Sequence, residues 1–232
     1  SLTGAGALTV TNRMDWTGGT VAVNLVIPAA TTLRVDAGSF KFLTGKTVTN
    51  SGTMQWSGNE NLYIQNGAQW VNETTGLFLI EGDANYELNA GTTGSFLNRG
   101  TVRKTGGTGT TTFNQIPFTN TGTLELAQGT LSFTGAFNNN GEVDVQGGTL
   151  LLSGGGSGTG KVAIASGQVV RLTAGTFDWG GAAAVSGAGN LEIAGATLQL
   201  LNAFSVEHLR FTGGSLTGAG ALTVTNRMDW TG

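Results

Sequence analysis

The segment SLTGAGALTVTNRMDWTG stands twice in this sequence, as residues 1–18 and again, letter for letter, as residues 215–232. Identity over eighteen positions does not arise by chance. The sequence therefore holds one full repeat, residues 1–214, and the opening of the next, residues 215–232. Tandem units constrain a fold strongly, because each touches chiefly its neighbours and buries its inward face only by stacking. With Ser215 opening a unit in the register of Ser1, the stretch around Leu222 and Val224 is expected to repeat the setting of Leu8 and Val10. Gly19-Thr20-Val21 is then the natural continuation after Gly232. The start at Ser1 rather than Met reads as a fragment or a processed product.

Within the repeat, apolar-x-apolar triplets recur: Leu8/Val10, Leu33/Val35, Leu62/Ile64, Leu124/Leu126, Val143/Val145, Leu191/Ile193. Alternation with period two marks strands with one buried face. The nearest approach to a helical period, Leu198 to Leu209, carries Asn202, Ser205 and His208 and lacks caps, so no substantial helix is predicted. A longer period sits above the first. Leu124, Val143 and Val162 are spaced by 19, and Leu131, Leu150 and Val170 by 19 and 20. Phe177 and Phe204 open third strands in later turns, and Leu209, Leu216 and Leu222 form another set of three. The fold expected is an all-β parallel β-helix (β-solenoid) of about 10–11 coils, each of roughly 18–22 residues and three short strands. Leu126, Val145, Ile164 and Leu172 should face inward, since their neighbours Glu125, Asp144, Ala163 and Arg171 include the charges. Residues 60–115 keep the period poorly, which predicts a bulge or an inserted loop.

The corners repeat too. Phe96-Leu97-Asn98-Arg99-Gly100-Thr101-Val102, Phe118-Thr119-Asn120-Thr121-Gly122-Thr123-Leu124 and Phe137-Asn138-Asn139-Asn140-Gly141-Glu142-Val143 share one phrase, and Val48 to Met54, with Asn50 and Gly52, is a fourth version. Asn and Gly tolerate positive φ, which a sharp corner is expected to need. Asparagine at one corner of stacked coils also permits ladders of side-chain amides.

The phrase and the coil length resemble right-handed parallel β-helix repeats of large bacterial secreted surface adhesins, such as autotransporter passengers and filamentous-haemagglutinin-like proteins. The resemblance is one of pattern over nearly the whole chain. It implies export, an extracellular or cell-surface location and an adhesive or structural role, and it assigns no functional residue.

Composition narrows the function classes. Charged residues make up 11% of the chain and the net charge is −3, so the clustered Lys and Arg of a nucleic-acid footprint are missing. Cysteine is absent, and no apolar run reaches the ~20 residues of a membrane-spanning helix. Gly155-Gly156-Ser157-Gly158-Thr159-Gly160-Lys161 spells most of a phosphate-binding loop, but Val162 replaces the Mg²⁺-holding Ser or Thr, and a strand follows where a helix is needed. His208 is the single histidine and no nucleophile elbow exists, so a triad or zinc site is not expected. Glu81, Asp83 and Glu87 are the densest acids, at no known calcium-loop spacing. Thr9/Thr11, Thr47/Thr49 and Thr223/Thr225 are too scattered for an ice-binding face. Trp16, Trp56, Trp179 and Trp230 each precede a Gly-containing turn; outward they would stack on sugars, inward they fill a wide coil, and core or corner packing is the preferred reading.

The expectation is a structural protein whose partner is itself, head to tail along the solenoid axis, with no cofactor, metal or catalytic residue. The alternative is a glycan- or surface-binding adhesin module using Trp16, Trp56 and Trp179. A β-helix polysaccharide hydrolase or lyase comes third.

Overall fold

A computed structural model describes residues 1–231. It is an all-β parallel solenoid of about eleven turns, with coils of about 21 residues and no helix among the described residues. Inner strands pair in parallel with the strand one coil above and one coil below, while strands of the first and last coils, and Ala184–Ser186, pair on one side. The chain visits three faces in turn. The first face begins at Leu2 and rises through Val21, Leu43 and Ile64. The second begins at Leu8 and rises through Leu25, Val48, Trp70 and Phe96. The third begins at Met14 and rises through Leu33, Met54, Phe78 and Val102.

The inward positions form one continuous apolar column, because the strand period of two sends alternate side chains inside. Leu126, Val145, Ile164 and Leu172 are all within it, and Glu125, Asp144, Ala163 and Arg171 are not. Its widest part is aromatic. Phe96 stacks on Phe118 at 5.0 Å and Phe118 on Phe137 at 5.7 Å. Phe113 stacks on Phe133 at 4.9 Å and meets Phe96 edge-on at 5.4 Å. The second-face column then loses its side chain at Gly156, which lies between Phe137 and Phe177. A void of about 20 Å³ opens there, lined by Phe137, Leu150, Val170, Trp179 and Val185, with room for about one water molecule.

Residues 60–115 hold both kinds of irregularity that the broken period predicts, a bulge and lengthened corners. The strand Tyr86–Ala90 slips register against Leu62–Gln65 between Leu88 and Ala90, while Trp70, Phe78, Phe96, Val102 and Phe113 pair without a shift. Most of the extra length sits in the corners between the third and first faces. These are Ser57–Asn61, Glu81–Asn85 and Thr105–Gly109, against only Ala127–Gly129 and Gln146–Gly148 in later coils. A corner grows without disturbing strands because only strand residues join the ladder. Two buried lysines tie these longer corners down. Lys104 Nζ donates to the carbonyls of Gly82 (2.6 Å) and Gly106 (2.9 Å), to Asp83 Oδ1 (2.9 Å) and to Thr111 Oγ1 (3.2 Å). Lys41 Nζ donates to the Ser39 carbonyl at 3.0 Å.

Candidate functional site

Two features rise above the general architecture: an amide ladder at one corner, and the open edges of the first and last coils. The ladder is built from the last strand residue of the second face. Asn50, Asn98, Asn120 and Asn139 are buried, and so is Asn72, which the sequence reading missed. Asn50 Nδ2 donates to Asn72 Oδ1 (2.8 Å), Asn72 to Asn98 (2.8 Å), Asn98 to Asn120 (2.7 Å) and Asn120 to Asn139 (2.8 Å). Each amide also donates to a backbone carbonyl at the start of the third-face strand one coil up: Leu77, Thr101, Thr123, Glu142 and Lys161. The ladder thus cross-ties five corners in the low-dielectric interior, where such chains reinforce one another. Its lowest acceptor, Asn50 Oδ1, has no partner, because Ile27 occupies the rung beneath. Above Asn139 the rung is Gly158, which has no side chain to continue it.

The reason first assigned to this corner motif needs correcting. None of Asn50, Asn98, Asn120, Asn139, Gly52, Gly100, Gly122 and Gly141 has positive φ. The asparagines are strand residues used for their amides. The glycines are needed for close approach: a Cβ on Gly122 would run into the Gly100 carbonyl oxygen, and one on Gly141 into that of Gly122. Left-handed backbone belongs to the other corners, such as Gly107, Gly129 and Gly148.

The remaining candidates fall into the scaffold. Trp16 and Trp56 are buried and present no open ring face; the Trp16 Nε1–H donates to the Gly19 carbonyl and Trp56 packs edge-on against Phe78. Trp179 is half-buried against Phe204. Trp230 alone is largely exposed, at 70%. Lys161 opens a strand, Lys161–Ile164, directly after the glycine run. Asp83 accepts from Lys104 and from the Gly109 N–H (3.0 Å), while Glu81 accepts from Gln55. His208 sits in a strand beside Asn190 and Arg227, with no carboxylate bonded to it.

The first and last coils show free edges. Residues Leu2–Thr9 are exposed throughout, as are most of Leu222–Trp230, and Leu2, Leu8, Leu216, Met228 and Trp230 are the large apolar side chains left uncovered there. The two copies of the repeated segment use opposite edges. In the first copy Leu2, Leu8 and Met14 lie under Val21, Leu25 and Leu33. In the second copy Leu216, Leu222 and Met228 lie over Leu198, Phe204 and Leu209. The copies are not on the same faces, contrary to the expectation that Leu222 would repeat the setting of Leu8. The column that starts at Leu8 ends at Leu216, the copy of Leu2. The first-face ladder that opens with Leu2 and Thr3 closes with Arg227–Trp230, the copies of Arg13–Trp16.

No protein-family model, curated protein or solved structure matches this chain.

Proposed function

We propose that this chain is a structural protein, a β-solenoid unit that continues end to end into a fibre, stalk or adhesin shaft. One observation carries the reading: the same eighteen residues pair through their upper edge at one end and through their lower edge at the other, each time with different partners. A segment that can hold a neighbour on both edges is suited to the interior of a longer column. Such a contact is heterologous, and heterologous contacts give open filaments when the rotation does not close. The absence of cysteine and the low charge suit an extracellular or cell-surface setting. The burial of Trp16 and Trp56 weighs against the glycan-stacking alternative.

Electron microscopy of the natural material tests this. The expected result is a fibre with an axial repeat of about 50 Å, from ~4.8 Å per coil. Isolated compact particles, with both end coils covered by other elements, would refute it.

A further inference from the structure

The geometry points to a specific occupant for the free upper edge of residues 215–231: the counterpart of residues 19–35 in a following repeat for which residues 215–232 serve as residues 1–18, docked in the register that residues 2–16 already display, and turned by one face of the coil. The inference rests on the end-to-end reading above and adds to it the docking register and the rotation per unit.

The register follows from the sequence identity. Residues 2–16 hold residues 21–35 above them through Leu2↔Val21, Leu8↔Leu25, Thr9↔Val26, Met14↔Leu33, Asp15↔Arg34 and Trp16↔Val35. Residues 216–230 are the same residues with nothing above them. The contrast between Trp16 and Trp230 measures the missing cover: one indole is 3% exposed beneath Val35, its copy 70%. Charge selects the same occupant. Asp229 lies over Arg210, and residues 19–35 would set Arg34 above it, leaving the carboxylate between two guanidinium groups. Stacking residues 1–18 of another copy there instead would place Asp15 over Asp229 and Arg13 over Arg227. Like charges directly opposite are destabilising.

The rotation follows from the ladder. Ten inter-coil steps lead from Leu8 through Leu25, Val48, Trp70, Phe96, Phe118, Phe137, Gly156, Phe177 and Leu198 to Leu216. Leu216 is the copy of Leu2, one face earlier in the chain than Leu8. One 214-residue repeat is therefore ten turns and one face, that is, ten and a third. Any feature of one unit, such as the asparagine-ladder corner, is carried to the next face in the following unit and returns after three. Three units make 31 coils, a rise of roughly 150 Å at ~4.8 Å each.

The test uses the whole chain extended by a second copy of residues 19–232. Because the chain has no cysteine, Thr223→Cys in the first unit and Val26→Cys in the second supply the only thiols. A short bifunctional thiol reagent should join them, while Thr223→Cys paired with a cysteine at Thr49 of the second unit, one coil further up, should stay unjoined. Acrylamide quenching of the extended chain without cysteines gives a second readout. The fraction of indoles as open as Trp230 should fall from one in five to one in nine; two in nine would mean the junction stays open. No cross-link, or two in nine, overturns the docking register. A density map of a three-unit chain should trace 31 coils from one copy of Leu2 to the copy three units on; 30 or 33 overturns the rotation. A cross-linked chain that never grows into fibres defeats the shaft but not the register, and fibres from a chain that does not cross-link do the reverse.

Discussion

Removing the middle rung of the amide ladder should cost more than removing either end. Asn98 is fully buried, donates to Asn120 Oδ1 and the Thr123 carbonyl, and accepts from Asn72. In Asn98→Ala, Asn72 keeps two carbonyl acceptors, Gly76 and Thr101, so its donors remain satisfied. The acceptor Asn120 Oδ1 is stranded, and Thr123 O, a carbonyl of the parallel ladder, loses its side-chain donor. At about 1–3 kcal/mol for the stranded oxygen and about 0.5–1.5 kcal/mol for the bond lost at Thr123, the loss is about 1.5–4.5 kcal/mol before any cavity term. Asn139→Ala removes only the bond to the Lys161 carbonyl, a ladder carbonyl, and Asn120 retains Glu142, so it should cost about 0.5–1.5 kcal/mol. Asn50→Ala strands Asn72 Oδ1 and takes one donor from the Leu77 carbonyl, but also removes the unpartnered Asn50 Oδ1. Its net cost should fall about 1 kcal/mol short of that of Asn98→Ala. Urea unfolding followed by circular dichroism reads the order, and Asn98→Ala should shift the midpoint by about 1 M or more at an m-value of 1–3 kcal/mol/M. Amide exchange at Thr123 locates the loss, since stacked repeats open locally. Equal effects for the three variants, or a smaller effect at Asn98, would show that the amides do not act as a connected ladder.

Two further perturbations test a buried hydroxyl and an exposed carboxylate paired with a buried lysine. Tyr86 is fully buried, its hydroxyl has no partner, and burial pushes its pKa far above the ordinary value. Tyr86→Phe should therefore raise the thermal midpoint, by about 1–2 kcal/mol of stability. The hydroxyl's raised value means its neutral form is fully accommodated below about pH 10 and that stability is lost as pH rises further, when the unfolded chain ionises first; the variant should lack that alkaline loss, and an unchanged alkaline limb would refute the assignment. At Asp83, partial desolvation pushes the carboxyl up, but the hydrogen bond from Lys104, the Gly109 N–H and the charge of Lys104 together hold it below its usual value. A depressed folded value gives stability that is present above about pH 4 and lost as pH falls through the lowered value. Lys104→Met should flatten this acid limb in pH-dependent unfolding, and a limb identical to wild type would show that the pair carries no linkage.

Much of the fold was legible because strand periodicity and coil spacing are written in the same residues. Leu124, Val143 and Val162 are neighbours on one column, and Leu131, Leu150 and Val170 on another. Asn72 was hidden because Glu73-Thr74-Thr75 stand between it and Gly76, stretching the corner phrase by two residues relative to Asn98-Arg99-Gly100. The amide geometry survives that stretch, since the asparagine belongs to the strand and only the corner behind it lengthens. The inward direction of Trp16 and Trp56 was open for a related reason: alternation fixes which residues share a face, but at a glycine-rich turn it does not say where the alternation stops. The two buried lysines left no signal at all. Lys104 occupies the inward position taken by Trp56, Ile80 and Leu126 in neighbouring coils, where the pattern calls for an apolar side chain. Its partners come from corners whose conformation the sequence does not display.

The third-turn offset between copies shows what tandem repetition does and does not demand of a solenoid. Successive rungs of the second face are separated by as few as 17 residues, from Leu8 to Leu25, and by as many as 26, from Trp70 to Phe96. Nothing therefore obliges a 214-residue repeat to contain a whole number of turns. What must be conserved is local: each segment has to meet the segment one coil away with apolar side chains inward and backbone groups paired. The repeated eighteen residues meet that condition on both edges, over Leu198, Phe204 and Leu209 and under Val21, Leu25 and Leu33. The face on which they do so is free to change. Because the three faces are all parallel ladders around one apolar column, moving a segment from one face to the next leaves its pairing chemistry intact. The offset then costs the core nothing and alters only the outside, where it distributes the surface of successive units around the axis instead of along one side.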